Sequence, residues 1–238
     1  MKPHIVAPLF YTAAMGAIFA YLYHVRGAGY GSAEFIQGAV LGVALSAAAS
    51  AAYCRSQRPT LPDATPSGWR IMLLPMVPSG AMTLYALATR AQASWAFVAP
   101  LLLAIAVGLG EELIYRKVVL SSLLRTTSPR RAIVVSAAIF SVLHAVNVLG
   151  GQTTVATFRQ LMSTFVAGLA YAVMYLYTRR IAWLIVAHAM WDYIGLSGAI
   201  TPGSPLASLA LVVPLLEVIA TVVILRRHRE LISTEAPV

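Results

Sequence analysis

The stretch Gly108–Arg116, GLGEELIYR, places two adjacent glutamates inside a run of residues that is otherwise apolar enough to cross a lipid bilayer. Ionisable groups at membrane depth are costly, so they usually face a partner or a wet cavity inside the protein. We therefore take Glu111 and Glu112 as markers of a functional site. Later apolar runs supply three candidate partners: His144, His188 and Asp192.

The composition of the chain fixes its class. Of 238 residues, 59% are hydrophobic and 11% charged, and the mean hydropathy is +0.78. An ordinary soluble domain carries roughly 25% charged residues, so a soluble protein is excluded. Apolar runs of about 20 residues follow one another along the chain, which is typical of a polytopic α-helical membrane protein. We predict one all-α integral-membrane domain over residues 1–238, with the core motif region at 95–200.

Eight apolar runs have the length of a membrane-spanning helix. They cover about Ile5–Tyr23, Phe35–Tyr53, Ile71–Ala88, Trp95–Leu124, Ala132–Leu149, Val155–Tyr177, Ile181–Ile200 and Leu206–Leu225. Pro75 and Pro78 predict a kink or broken turn in the third span. The longest loop, Arg55–Trp69, contains several prolines. We predict that the basic and polar tail, 226–238, is surface-bound or disordered.

The basic residues predict the orientation. With eight spans, one face holds both termini and twelve basic residues: Lys2, Arg55, Arg58, Arg70, Arg125, Arg130, Arg131, Arg179, Arg180, Arg226, Arg227 and Arg229. The other face receives three: Arg26, Arg90 and Arg159. By the positive-inside rule both termini are cytoplasmic, and this explains the net charge of +9 without a nucleic-acid partner. The single cysteine, Cys54, excludes an intramolecular disulfide and a thiol-rich metal site.

The polar residues fall at similar depths in three spans. Counted from the nearest basic residues at 1.5 Å per residue, Glu111, His144, His188 and Asp192 lie about 12 to 21 Å from the predicted cytoplasmic surface. We therefore expect a polar layer on three helices, in a cavity that opens to the cytoplasmic side.

Local spacing separates supporting residues from site residues. Glu112 and Arg116 are four residues apart with the acid first, the favourable order for an ion pair on one helix, which leaves Glu111 for chemistry. Phe140 lies one turn before His144, where it would form a wall of the pocket. Gly108 and Gly110 would allow close approach of another backbone. His188 and Asp192, also four residues apart, share one helix face.

Three motifs now stand in order on three hydrophobic spans: Glu-Glu-x-x-x-Arg at 111–116, Phe-x-x-x-His at 140–144 and His-x-x-x-Asp at 188–192. Together they resemble the motifs of the CAAX protease and bacteriocin-processing family (CPBP, or Abi). The resemblance covers roughly residues 95–195, and the flanking spans match it only in being hydrophobic.

The resemblance implies an intramembrane endopeptidase of the glutamate type. In that scheme Glu111 and His144 activate a water molecule, while His188 and Asp192 stabilise the oxyanion. The family's third motif most often ends in Asn, and Asp192 can donate a hydrogen bond only when protonated. The partners expected are the lipid bilayer and a peptide or protein substrate. Short loops and an Ala- and Arg-rich composition favour a bacterial inner (plasma) membrane.

Other functions remain open at this stage. Glu111, His144, His188 and Asp192 are all chemically competent zinc ligands, but no His-Glu-x-x-His helix is present, so we favour hydrolysis without a cofactor. A transporter is disfavoured because the sequence has no internal repeat. A non-catalytic scaffold or bacteriocin-immunity protein of the same fold is a further alternative. Glu217, in the middle of the eighth span, has no assignment.

Three hydroxyl residues occur near the motifs but lack the sequence context of a serine nucleophile, so a serine protease is disfavoured. These residues are Ser136, Ser141 and Thr201. Tyr115, Trp191 and the pair Tyr171/Tyr175 are interpreted as packing or interface residues.

Overall fold

The computed structural model describes residues 2–61 and 68–233, and every regular element in these residues is a helix. Eight apolar helices follow one another: α1 Pro3–Val25, α2 Ala33–Gln57, α3 Trp69–Arg90, α4 Trp95–Leu123, α5 Pro129–Gly150, α6 Thr154–Thr178, α7 Ile181–Leu196 and α8 Leu209–Arg227. All except α7 are long and apolar enough to cross a membrane. A short helix, α9, follows at Glu230–Ser233. The predicted all-α membrane bundle is confirmed, and the protein is an integral multi-pass membrane protein.

Contacts between loops and helix ends define the face that holds both termini, called the terminal face below. There the Arg125 guanidinium donates a hydrogen bond of 3.0 Å to the Thr60 hydroxyl, which joins the α4–α5 connection to the segment after α2. Trp69 at the start of α3 stacks on Trp183 at the start of α7, with ring centroids 5.1 Å apart. These contacts place the first turns of α3 and α7 at the same end of the bundle.

The other end of the bundle, called the opposite face, is joined by two hydrogen bonds to backbone carbonyls. The Tyr30 N–H donates to the Gly150 carbonyl at 2.7 Å, which ties the α1–α2 loop to the end of α5. The Arg90 guanidinium donates to the Gly198 carbonyl at 2.7 Å, which ties the end of α3 to the residues after α7. The 16-residue helix α7 therefore starts at one face and ends at the other, so it crosses the bundle like its longer neighbours.

Helix boundaries differ from the predicted ones at several ends. α7 stops at Leu196 and not at Ile200, because the chain turns through Gly198 with φ +61°, a conformation that ends a right-handed helix. α3 runs through Pro78 without a break, so the predicted broken turn does not occur. α8 continues to Arg227, and α9 makes part of the predicted tail helical. Residues 62–67, in the proline-containing loop, and 234–238 lie outside the described residues.

Two irregular helical segments contain residues of the first two motifs, and no pattern in the sequence predicts either segment. In α4 the α-helix ends at Glu111 and continues as a π-helix over Glu112–Leu120. In α5 the α-helix ends at Leu143 and continues as a 3₁₀-helix over His144–Gly150. π-helical turns are rare and frequently occur at functional sites. Glu111 and His144 therefore both stand at a change of helical geometry.

One of the two glycines before the acids brings two backbones together. A Cβ on Gly108 of α4 would lie 3.0 Å from the Ile185 carbonyl oxygen and 3.1 Å from the Ala189 nitrogen, both on α7. The predicted close approach at Gly108 is thus confirmed, and it brings the glutamates of α4 near the His188 helix. Gly110 instead faces the side chain of Tyr11, so the expected backbone contact there is wrong.

Candidate functional site

The four predicted site residues line one cavity of about 240 Å³. Glu111 comes from α4, His144 from α5, and both His188 and Asp192 from α7. Glu111 and His188 are almost fully buried, at 4% and 8% exposed, whereas Asp192 and His144 are partly exposed. The structure therefore brings together, inside the bundle, the residues that the sequence placed on separate spans.

His188 lies at the centre of the cluster because its two ring nitrogens face different carboxyl groups. Nδ1 donates a hydrogen bond of 2.8 Å to Oε1 of Glu112. Nε2 lies 3.5 Å from an Asp192 carboxylate oxygen and 3.7 Å from Oε2 of Glu111. The last two distances are long for a hydrogen bond, so Nε2 faces a gap between two acids. With Nδ1 donating to Glu112, Nε2 can also donate only when the ring carries both protons.

Glu112 is held between His188 and Arg116. Its Oε1 lies 3.3 Å from the Arg116 guanidinium, and both side chains are buried, at 0% and 1% exposed. The guanidinium in turn stacks on the ring of Phe140, 4.0 Å from the ring centroid, and lies 5.5 Å from that of Tyr171. The predicted ion pair is thus present, and it also fixes the orientation of the His188 ring. The aromatic support for Arg116 was not predicted.

His144 is oriented by its own helix. Its Nδ1 lies 3.2 Å from the Phe140 carbonyl oxygen. A carbonyl oxygen only accepts, so Nδ1 carries the proton of this hydrogen bond. In the neutral ring, Nε2 is then left as an acceptor. That is the tautomer in which an imidazole can accept a hydrogen bond from a water molecule.

Glu111 carries a buried oxygen with unused hydrogen-bonding capacity. Its Oε2 has no hydrogen-bond partner within residues 2–61 and 68–233, although the carboxyl group borders the cavity. A carboxylate oxygen at a cavity wall can accept a hydrogen bond from a water molecule or from a substrate group. Oε2 of the neighbouring Glu112 likewise has no partner among the described residues, but Glu112 does not line this cavity and its Oε1 already binds His188.

A polar chain that sequence reasoning missed forms the wall beside His144. The Asn147 amide nitrogen donates to the Tyr30 hydroxyl at 3.1 Å and to Oε1 of Gln160 at 2.8 Å. All three residues line the same cavity as His144. Asn147 could be associated with the site because it lies three residues after His144 in the sequence. Tyr30 lies in the α1–α2 loop and Gln160 in α6, and neither is near a motif in the sequence.

A second cavity of about 400 Å³ adjoins the cluster between α6 and α8. It shares five wall residues with the first cavity: His144, Gln160, His188, Trp191 and Asp192. Tyr171 and Glu217 also line it, and they lie close enough to interact. Tyr171 and Trp191 are therefore cavity residues as well as packing residues. Glu217 is buried, at 8% exposed, on this wall.

The first cavity lies in the half of the bundle next to the opposite face. Its walls include Tyr30 and Gly31 of the α1–α2 loop and Leu196 at the end of α7. None of its lining residues comes from a terminal-face connection among the described residues. The expected opening toward the face of the termini is therefore wrong. When residues lie near the middle of a helix, a depth counted along that helix cannot tell in which half of the bundle their cavity lies.

The nearby hydroxyl groups of α5 are already engaged. Ser136 donates to the Tyr115 carbonyl at 2.9 Å, and Ser141 donates to the Leu161 carbonyl at 2.7 Å. Both serines therefore join helices, which fits the poor context for a serine nucleophile in the sequence. Among the described residues, no group of three or more His, Cys, Asp or Glu side chains is arranged to hold a metal ion.

Fold and cluster together define a class: a polytopic helical membrane protein with a Glu/His/Asp cluster buried between its spans. Residues 93–194 match the family model described as "Type II CAAX prenyl endopeptidase Rce1-like". This segment contains all three motifs, so the resemblance to the CAAX protease and bacteriocin-processing family is confirmed over residues 93–194. No curated protein and no solved structure matches the chain significantly.

Proposed function

We propose that this protein is an intramembrane endopeptidase that hydrolyses a peptide bond of a membrane-associated protein or peptide. The observation that carries the proposal is the convergence of Glu111, His144, His188 and Asp192 on one cavity. The family match of residues 93–194 supports the same reaction class. A bacterial plasma membrane with both termini in the cytoplasm fits the distribution of basic residues.

In the proposed reaction a water molecule lies between Glu111 and His144. Glu111 accepts one proton as the water oxygen attacks the carbonyl carbon, and Nε2 of His144 accepts a hydrogen bond from the same water. The carbonyl oxygen becomes an oxyanion. When the carbon–nitrogen bond breaks, Glu111 returns the proton to the leaving amine. The unpaired Oε2 of Glu111 supports its place beside the attacking water.

His188 and Asp192 are assigned to the oxyanion. Nε2 of the doubly protonated His188 ring would donate to it from the gap between Glu111 and Asp192. Glu112 and Arg116 act through His188: they hold its Nδ1 and so aim Nε2. Preorganised donors of this kind typically contribute about 10²- to 10³-fold in rate. Asp192 contributes a donor only in its protonated form, and otherwise it orients His188.

We propose that the reaction needs no metal cofactor. We prefer this choice to the zinc alternative because the sequence contains no His-Glu-x-x-His motif of a zinc-binding helix.

The test compares Glu111→Gln with the wild type in cells that lack the native gene. Loss of the base should reduce cleavage by about 10²-fold or more, so an uncleaved precursor should accumulate in the membrane proteome. Glu34→Gln is the matched control because Glu34 is exposed at the start of α2 and is not among the residues that line the cavity. Identical precursor levels and new N-termini in the Glu111→Gln and wild-type membranes would exclude a peptidase and leave a scaffold or immunity function.

A further inference from the structure

We infer, on the basis of the hydrolytic function proposed above, that the site works from the extracytoplasmic side of the membrane and cleaves anchored segments of exported proteins or peptides. The inference joins two independent features of the molecule. One is the half of the bundle in which the cavity lies. The other is the distribution of basic residues between the two faces.

The cavity is built from residues near the opposite face. Asp192 precedes the end of α7 at Leu196 by one helical turn, about 6 Å at 1.5 Å per residue. His144 starts the 3₁₀ segment that ends at Gly150, which is bonded to Tyr30 of the α1–α2 loop. Glu111 forms the deep end of the cavity. A molecule coming from the opposite face therefore meets the polar cluster before it reaches the middle of the bundle.

The other half of the bundle is closed by close-packed side chains. Between the cluster and the terminal face, α4, α6 and α7 contribute residues that are at most 1% exposed: Tyr115, Val118, Val119, Leu120, Met174 and Leu184. Two cavities next to this layer, one lined by Leu113 and Lys117 and the other by Tyr11 and Ile114, contain none of the four cluster residues in their walls. Water and substrate reach Glu111 from the terminal face only if this layer opens.

The charges identify the terminal face as cytoplasmic. Twelve of the basic residues outside the motif helix fall at that face and three at the other. Short connections with an excess of Lys and Arg stay in the cytoplasm. Arg125 and Arg179 lie in connections that are only a few residues long, where this bias is strongest, and Arg130 lies in the first turn of α5. The cavity accordingly opens to the extracytoplasmic side.

The second cavity indicates what kind of substrate fits. It reaches the outer surface of the bundle between α6 and α8, where Val166 and Val218 are 46% and 39% exposed to the lipid region. It shares His188 and Asp192 with the first cavity. A peptide held in the bilayer can therefore approach the cluster sideways, while its extramembrane part leaves toward the opposite face. An anchored segment of an exported protein has this geometry.

Cysteine accessibility tests the inference without requiring cleavage. In a Cys54→Ser background, which removes the single native thiol, cysteines are introduced one at a time. Gly29→Cys reports the opposite face, Thr126→Cys the terminal face and Gly195→Cys the cavity wall. A Cβ at Gly29 or Gly195 meets no atom within 4 Å, and Thr126 is exposed, so each variant is sterically permitted. Right-side-out and inside-out vesicles are treated with a charged, membrane-impermeant thiosulfonate, and remaining thiols are counted by maleimide mass shift.

We expect the reagent to block Gly29→Cys and Gly195→Cys in right-side-out vesicles, and Thr126→Cys only in inside-out vesicles. Blocking of Thr126→Cys from outside would reverse the orientation and overturn the inference. Blocking of Gly195→Cys from the side that reaches Thr126→Cys, or from neither side, would overturn the assigned opening. Because labelling does not depend on Glu111, these results stand apart from the test of hydrolysis.

Discussion

The buried ion pair between Glu112 and Arg116 gives the most quantitative prediction. Glu112→Gln keeps an oxygen that can accept the 2.8 Å hydrogen bond from His188, so the change removes mainly the negative charge. The guanidinium 3.3 Å away is then left as a buried cation, since Arg116 is 1% exposed. Breaking a buried pair by removing one partner costs about 3–5 kcal/mol. We expect the unfolding free energy of Glu112→Gln to fall by that amount.

A double variant separates the charge effect from a loss of packing. Replacing Arg116 by Met in Glu112→Gln removes the unpaired cation and keeps a long side chain against Phe140. Replacing a whole buried pair by apolar groups is often neutral or stabilising. The double variant still loses the cation–π contact of 4.0 Å, worth about 0.5–2 kcal/mol. We therefore expect it to be more stable than the single variant and within about 2 kcal/mol of the wild type.

Reversible unfolding in mixed dodecyl sulfate micelles measures these free energies, with the tryptophans as the fluorescence probe. Glu34→Gln is the control for loss of an exposed carboxylate and should change the unfolding free energy by less than about 0.5 kcal/mol. The reasoning is refuted if Glu112→Gln loses less than about 1 kcal/mol. It is equally refuted if the double variant is no more stable than the single one, because the cost would then not come from an unpaired buried charge.

Three further outcomes are expected. Gly108→Ala places a Cβ 3.0 Å from the Ile185 carbonyl oxygen, so α4 and α7 must separate. Thermal unfolding in detergent should show that the unfolding free energy falls by about 1–3 kcal/mol. In the control Gly80→Ala, the nearest atom lies 4.0 Å from the new Cβ, so this variant should not be destabilised. Glu217→Gln changes a wall of the second cavity without touching Glu111, so once a substrate is identified KM should rise more than kcat falls; an unchanged KM would exclude a binding role. Chelators should leave cleavage unchanged, and activity that is lost with a chelator and returns with zinc would establish a metal mechanism.

The class of the protein could be predicted from the sequence, and so could the four residues that line the cavity together. Hydropathy alone is enough to predict bilayer-length helices. A single apolar segment in lipid can satisfy all its backbone hydrogen bonds internally only as a helix. Charged residues inside such segments are rare enough that Glu111, His144, His188 and Asp192 stand out without knowledge of the fold. The spacing of Glu112 and Arg116 was likewise enough to predict their ion pair.

Several features of the site depended on contacts that no local pattern encodes. The π-helical turn after Glu111, the aromatic support of Arg116 by Phe140 and Tyr171, and the polar chain through Tyr30 and Gln160 all arise from packing between distant helices. The half of the bundle that holds the cavity was predicted wrongly. A residue count measures the distance of a group along its helix. It does not tell whether the space between that group and each face of the bundle is packed with side chains or left as a cavity.

The sequence by itself determined that this chain forms a membrane bundle with three motif-bearing spans, because apolar length and buried charge act through each segment's own transfer free energy. Only the tertiary structure decided how those spans rotate and approach one another. α4 passes close to α7 at Gly108, and buried side chains fill the space between Glu111 and the terminal face. Four polar residues from separate helices therefore line one cavity in the other half of the bundle. Such packing is a property of pairs of helices, and it is absent from any one of them taken alone.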